Sequence, residues 1–346
     1  MQSIVFNGER PYTARVGSGA AGLLADELAS ISSGSVAVVT DSGVPQSHVS
    51  AVLGAAEKAC RACHTLVLPA GESQKNLDGM RLIYDFLYDK GFTRSDCIIA
   101  VGGGVVGDMA GFAAATYLRG MAFVNVPTTI IAQTDSAYGG KTGVDYSQGK
   151  NHIGCFYPPK AVFCDTDFLN TLDEEKRLCG MGEVIKYGAI ASPELLDIVE
   201  ANGSALPDEH TVCRCVLIKK RFVEGDEHDN GTRRALNFGH TIGHAIEAAS
   251  GYTVPHGQAV AYGMLAAASM GERLDVTSPG AYGRIASAAK AVGLRTDWKT
   301  YLDKALPLVS RDKKSDGASI DFVLLRDIGS PFRMALTPEK IAELLR

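Results

Sequence analysis

Four of the eight histidines fall between positions 228 and 256, and two of them stand one helical turn apart in Leu236-Asn237-Phe238-Gly239-His240-Thr241-Ile242-Gly243-His244. Positions i and i+4 share a helix face, so His240 and His244 meet on one side, beside glycines that let other groups come close. A third histidine, His256, follows Val254-Pro255 at a loop-to-helix start, and an acidic residue, Glu183, lies upstream in Gly182-Glu183-Val184-Ile185-Lys186. Three His or Glu ligands around an open fourth position are how a catalytic zinc is held, so these residues are candidate metal ligands. The spacing is not His-Glu-x-x-His, because Thr241 and Ile242 follow His240 and no general base sits between the histidines. A hydrogen-bonded core histidine is the other use of such a pattern.

A second chemical signal is the glycine run Gly102-Gly103-Gly104-Val105-Val106-Gly107-Asp108, which follows the apolar Cys97-Ile98-Ile99-Ala100-Val101 and precedes the helical Met109–Ala115 stretch. Glycines 102, 104 and 107 fit G-x-G-x-x-G in a strand-turn-helix context, where bare N–H groups and a helix N-terminus receive a pyrophosphate. The run comes late for a first Rossmann unit, and Asp41, ending an earlier strand, is the candidate for a ribose hydroxyl. Thr128-Thr129, Asp135 to Gly143 and Gly149-Lys150-Asn151 place lysines beside glycines, as an anion site requires; a solvated loop is the bland alternative. With Arg119, Lys186, Lys219 and Arg233 they suggest a polyanionic small-molecule substrate.

These groups need elements to position them. Ser35–Thr40, Cys97–Val101 and Ala122–Val126 read as strands alternating with helical stretches, the pattern of a Rossmann-like parallel sheet with crossover helices. After about Leu172 helical patterns follow one another: from Glu174, over Arg233–Ala249, Gln258–Leu274 and Tyr282–Val292, with one strand signal at Ile320–Leu325. The expectation is an α/β NAD-binding domain over 1–172 and a mainly helical metal- and substrate-binding domain over 173–346. The active site is expected in the cleft between them.

Composition narrows the partners. A net charge of −5 argues against nucleic acid or an anionic membrane as partner. No leader-like N-terminus and no long apolar run is present, which favours a cytoplasmic protein. Eight cysteines lie scattered in apolar segments, as suits reduced thiols. Cys60-Arg61-Ala62-Cys63-His64 has haem-attachment spacing, but it closes a helix-like Ala/Glu/Lys segment and is read as coincidence.

Taken in order, Gly102 to Asp108, Tyr117-Leu118-Arg119-Gly120, Val126-Pro127-Thr128-Thr129, Asp135 to Gly143, Gly149-Lys150-Asn151, Glu183 to Lys186, Leu236 to His244 and His256-Gly257 resemble the 3-dehydroquinate synthase family over nearly the whole chain. The resemblance implies an NAD- and zinc-dependent lyase, with cobalt as an alternative metal, acting as a homodimer in the shikimate pathway. It would convert 3-deoxy-D-arabino-heptulosonate 7-phosphate to 3-dehydroquinate and phosphate. Transient oxidation by NAD, phosphate elimination, re-reduction, ring opening and an internal aldol closure would follow one another.

The same resemblance implies Glu183, His240 and His256 as metal ligands and His244 as an acid/base group. Asp135, Lys141, Asn151, Lys186, Lys219, Arg233, Asn237 and one of Lys313 and Lys314 would line the substrate pocket, with Arg119 in the catalytic set. NAD would be held by Asp41, by Gly71, Glu72, Ser73, Gln74 and Lys75, by Gly104, Val105, Val106, Gly107 and Asp108, by Thr128, Thr129, Lys141 and Lys150, and by Phe168, Leu169, Asn170 and Thr171. Three positions depart from the family pattern. Gly43 replaces an asparagine, Asp229 a glutamate, and Gln258 a glutamate whose charge is expected near the metal. Rival readings are another sugar-phosphate cyclase, a metal-dependent alcohol dehydrogenase, and a non-catalytic NAD-binding protein.

Overall fold

Long runs of β-branched and apolar residues form the strands, because a parallel sheet covered on both faces buries every side chain. The computed structural model describes all residues except Ser33, Gln148 and 310–318. The chain forms two compact units, one of Met1–Leu172 with Pro207–His228, the other of Asp173–Leu206 with Asp229–Arg346.

In the first unit the strands are β1 (Gln2–Phe6), β2 (Tyr12–Gly17), β3 (Val36–Asp41), β4 (Cys63–Leu68), β5 (Cys97–Gly102), β6 (Ala122–Pro127), β7 (Lys141–Tyr146), β8 (Gly149–Phe156) and β9 (Ala161–Asp165). Seven of them make one sheet in the order β1-β2-β9-β6-β5-β3-β4, parallel throughout except for the β1–β2 pair. One face packs Val36, Val38, Ile99 and Val124 against Leu24, Leu28, Val49 and Val52 of the helices Leu24–Ile31 and Gln46–Ala56. The opposite face packs Ala37, Val39, Ile98 and Phe123 against Met80 and Ile83 of the helix Leu77–Asp89 and Met109 and Ala113 of the helix Gly104–Thr116. Successive residues of a strand point to opposite faces, which is why even and odd positions divide between the two cores.

Two hairpins went unsignalled in the sequence. β1 and β2 extend the sheet, and the glycine- and lysine-rich segment 141–156 is the antiparallel β7–β8 ribbon rather than a loop. Residues 207–228, which the sequence pattern assigns to the helical domain, lie with the first unit. The helix Glu209–Gly225 buries Val212, Cys213, Cys215, Val216 and Phe222, and its neighbours include β1, β2 and the π-helical turn Ala132–Ser136.

The second unit contains the helices Glu174–Ala191, Pro193–Asn202, His240–Ala249, His256–Arg273, Ala281–Val292, Leu302–Val309 and Pro338–Leu345, with a hairpin of β10 (Ile320–Asp327) and β11 (Ser330–Leu336). The expected helix over Arg233–Ala249 is split. Thr232–Asn237 is a 3-10 turn, and Gly239 at φ +82°, a left-handed value that glycine takes without strain, starts the helix anew at His240. Among the described residues no helix is long and apolar enough to cross a membrane.

Candidate active site

In the first unit every segment expected to hold NAD, apart from Lys141 and Lys150, follows the carboxyl end of a parallel strand. Asp41 ends β3, Gly71–Lys75 follows β4, Gly104–Asp108 follows β5, Thr128-Thr129 follows β6 and Phe168–Thr171 follows β9. Ligands of open parallel sheets bind at those ends, where the strands stop and the N-termini of helices begin. The helix Gly104–Thr116 starts directly at the glycine run, offering unpaired N–H groups and a positive dipole end. A Cβ at Gly104 would lie 3.1 Å from the Ser136 hydroxyl, a tight approach that the absent side chain avoids.

Lys75 and Asp108 are bound to each other at 2.6 Å, and the same ammonium donates to Asn151 Oδ1 at 2.6 Å. Burial opposes the Lys75 charge, but Asp108, Glu72 and Asp145 together outweigh it and raise the lysine above its usual range. Lys219 donates to Asp135 Oδ1 at 2.6 Å, pairing two of the expected substrate groups. Lys141 and Asn151 are exposed on the β7–β8 ribbon and Lys150 is half-buried there. Arg119 lies apart. It is exposed, at φ +66°, beyond the C-terminal end of the helix whose N-terminus carries the glycine run. Thirteen helical residues separate the two by roughly 20 Å.

In the second unit glycines set the metal candidates face to face. A Cβ on Gly257 would lie 1.8 Å from the Cys179 carbonyl oxygen, and one on Gly182 2.4 Å from that of Gly257, so the helices Glu174–Ala191 and His256–Arg273 touch backbone to backbone. Gly263 does the same against the Gly239 carbonyl at 1.8 Å, bringing in the start of the helix His240–Ala249. Three helices therefore present Glu183, His240 and His256 to one point, with a ligand atom of each within 4.8 Å of the others. His256 Nε2 lies 3.3 Å and His240 Nε2 3.5 Å from Glu183 Oε1. Each ring is held from behind: His240 Nδ1 faces the Phe238 carbonyl at 3.3 Å and His256 Nδ1 faces Glu247 Oε2 at 3.4 Å.

Electrostatics separate the two imidazoles. Burial pushes His240 down to about 3. For His256 burial acts downward too, but the bonds to Glu183 and Glu247 and their charges outweigh it and lift the ring to about 9. Lys186 is ion-paired to Glu183 and lies 5.1 Å from the Tyr187 ring centroid. Arg233 is fully buried, whereas His244 and Asn237 are exposed. The His244 ring is centred 5.3 Å from that of His240 and 6.0 Å from that of His256.

Two residues escaped sequence reasoning. Glu247, buried behind His256, shares the helix face of His240 and His244 as the one acid of its helix, a spacing that the sequence does offer. His48 stacks on Phe168 at 4.2 Å and lies 3.3 Å from the Thr171 hydroxyl, a pairing across distant sequence. One expectation is corrected. Gln258 does not face the metal ligands; its amide bonds both the N–H and the carbonyl of Arg295, each at 2.9 Å, which a glutamate cannot do. Lys313 and Lys314 lie outside the described residues.

The fold is that of the sugar-phosphate cyclases. A solved 2-deoxy-scyllo-inosose synthase, complexed with carbaglucose-6-phosphate, NAD+ and Co2+, superposes with a TM-score of 0.89 at 26% identity, covering 100% of this chain and 99% of the other. A 2-epi-5-epi-valiolone synthase from Streptomyces hygroscopicus, with NAD+ and Zn2+ bound, gives 0.85 at 25% identity, covering 98% and 97%. Residues 65–178 match the 3-dehydroquinate synthase N-terminal family and residues 180–315 the 3-dehydroquinate synthase C-terminal family. A 3-dehydroquinate synthase from Geobacter metallireducens is 43% identical over 331 residues, 93% of this chain and 92% of that one. The chain belongs to the 3-dehydroquinate synthase family.

Proposed function

We propose that this chain converts 3-deoxy-D-arabino-heptulosonate 7-phosphate to 3-dehydroquinate and phosphate, using NAD and a divalent metal, zinc or cobalt. What carries the reading is the convergence of Glu183, His240 and His256 in a chain 43% identical to a 3-dehydroquinate synthase. Identity to the other sugar-phosphate cyclases is lower, at 26% and 25%, which favours the dehydroquinate reaction over its relatives. One carboxylate oxygen and two imidazole nitrogens suit zinc and leave further positions for substrate oxygens. When bound, NAD takes up and returns a hydride, and the cation polarises the substrate oxygens beside the reacting carbon.

The chain's own groups do the rest. Glu183 Oε1, His240 Nε2 and His256 Nε2 would hold the cation, with the Phe238 carbonyl and Glu247 fixing the ring tautomers. Lys186 and Arg233 would receive the substrate's anionic groups, and the buried surroundings strengthen each contact. His244, exposed beside the ligands, would carry a proton to or from the substrate. On the first unit the N-terminus of the helix Gly104–Thr116 would receive the pyrophosphate and Asp41 the ribose. Lys219, paired with Asp135, and Lys141, Lys150 and Asn151 would complete the anion contacts. A cytoplasmic homodimer is part of the same proposal.

The test is incubation of the metal-loaded protein with the heptulosonate phosphate and NAD, following phosphate and the carbocyclic product together. Phosphate release with 3-dehydroquinate is expected; turnover of other sugar phosphates alone would assign the chain to a different cyclase reaction.

A further inference from the structure

The Cys60-Arg61-Ala62-Cys63 motif takes no part in the chemistry above, yet the fold brings its two sulfurs to 3.0 Å. Cys60 lies in the turn after the helix Gln46–Ala56, and Cys63 opens β4, an edge strand of the sheet. The turn between them is tied down: Cys60 N–H donates to Ala56 O, Arg61 N–H to Gly34 O, and Val36 N–H to Ala62 O. Forming the S–S bond needs the sulfurs to approach by roughly 1 Å, to the 2.03–2.05 Å of a disulfide. His64 turns to the opposite face of the sheet, where its ring packs edge-on against Phe92.

We propose that Cys60 and Cys63 are a redox-sensitive modification site, a dithiol that closes reversibly into a disulfide when hydrogen peroxide is the oxidant. The Cys60 thiolate attacks one peroxide oxygen, the O–O bond breaks, and the other oxygen leaves as water after taking a proton. The Cys63 sulfur then attacks the resulting sulfenic acid, forming the S–S bond and breaking S–O, and a second water leaves. Two thiols have lost two electrons and two protons, and the peroxide has been reduced to water. A small thiol reverses the change by exchange and leaves as its own disulfide. Cys63 takes the second role by its position, with its sulfur 3.0 Å from that of Cys60; burial and its bond to Cys60 push its thiol up, so it gives up its proton only as it attacks the sulfenic acid.

A control is built into the sheet. Cys97 shares a register row with Cys63 across Val36, but it is fully buried and its thiol is pushed far up by that burial. It should stay unreactive in the folded protein.

The test uses the intact protein with zinc and NAD present. It is treated with graded hydrogen peroxide, its free thiols are blocked with N-ethylmaleimide, and it is digested with trypsin. Trypsin cuts after Lys58, Arg61 and Lys75, so a Cys60–Cys63 disulfide joins peptides 59–61 and 62–75 into one species. That species, lighter by two hydrogens than the sum of the reduced peptides and lost on reduction with dithiothreitol, is the expected result. In the Cys63→Ser variant dimedone should capture a sulfenic acid at Cys60. Separate alkylation of both cysteines at peroxide doses that modify other thiols, or linkage of either to a different cysteine, would overturn the proposal. The wild-type digest decides it even if the variant does not fold.

Discussion

At the scale of single residues, the two histidines of one helix face separate by what they touch. His240 is half-buried against Glu183, with its other nitrogen on a backbone carbonyl, whereas His244 is exposed. His240→Ala should empty the metal site and abolish activity together. His244→Ala should keep the metal and slow turnover by about 100-fold to 10,000-fold, as for a lost general acid/base; equal metal loss in both variants would make His244 a ligand. Glu247→Gln should weaken metal binding by about 10-fold to 100-fold in chelator competition, because the amide no longer favours Nδ1–H on His256. Unchanged affinity would leave Glu247 a mere core acid. The histidines were legible because their spacing is a helix period. Glu247, the one acid of that helix, was not, since sequence does not say that the ring nine residues on, in the next helix, packs back against it.

At the scale of elements, backbone contact between helices is what makes the ligands converge. Gly263→Ala tests this away from the ligands themselves: its Cβ would meet the Gly239 carbonyl oxygen at 1.8 Å, where only helix displacement gives relief. Overpacking of this kind costs about 1 to 3 kcal/mol, and metal affinity should fall with it; calorimetry and metal titration read the two effects. In the first unit Asp96 ties the entrances of β3 and β5, accepting from Ser35 N–H at 2.6 Å and from Thr93 N–H at 2.5 Å and hydroxyl at 2.8 Å. Burial acts to raise this carboxyl, but those hydrogen bonds outweigh it and hold it below the usual range. A depressed folded value means the stabilisation is present above the unfolded carboxyl range and is lost as pH falls through the folded value. Asp96→Asn should therefore cost about 1 to 3 kcal/mol at neutral pH, where it sets an amide donor against N–H groups. The cost should shrink in strong acid; a pH-independent difference would contradict the assignment.

Strand legibility follows the same physics. β3, β5 and β6 are buried on both faces and read as mainly apolar runs, broken in β6 by Asn125, while β1, β7, β8 and β11 alternate or carry polar and glycine residues and give no such signal. The break before His240 was hidden because the sequence pattern does not tell the 3-10 turn Thr232–Asn237 from an α-helix, and Phe238 and Gly239 interrupt it for only two residues. The helix Glu209–Gly225 is helical by pattern, but pattern does not say which unit it covers.

For the whole molecule, the net charge is −5 while the proposed substrate is itself an anion, so attraction must come from local cations rather than the overall field. Both units contribute expected chemistry: a cofactor edge at the strand ends of the first and a three-ligand cluster in the second. An alcohol dehydrogenase of related architecture would use the same two parts, yet the two reactions differ in what becomes of the hydride. In the proposed cyclase removal of the hydride would leave a carbonyl that acidifies the adjacent C–H and so permits loss of phosphate, and the hydride would then return to the same molecule. Nucleotide is then needed only in an amount matching the protein, and many phosphates are released per NAD. The measurement is simultaneous phosphate release and absorbance of reduced nicotinamide with NAD supplied near the protein concentration. Phosphate should rise far beyond the NAD added while reduced nicotinamide reaches only a small, constant level. Reduced nicotinamide rising in step with phosphate, and stopping when NAD is exhausted, would assign the chain to the dehydrogenase reaction.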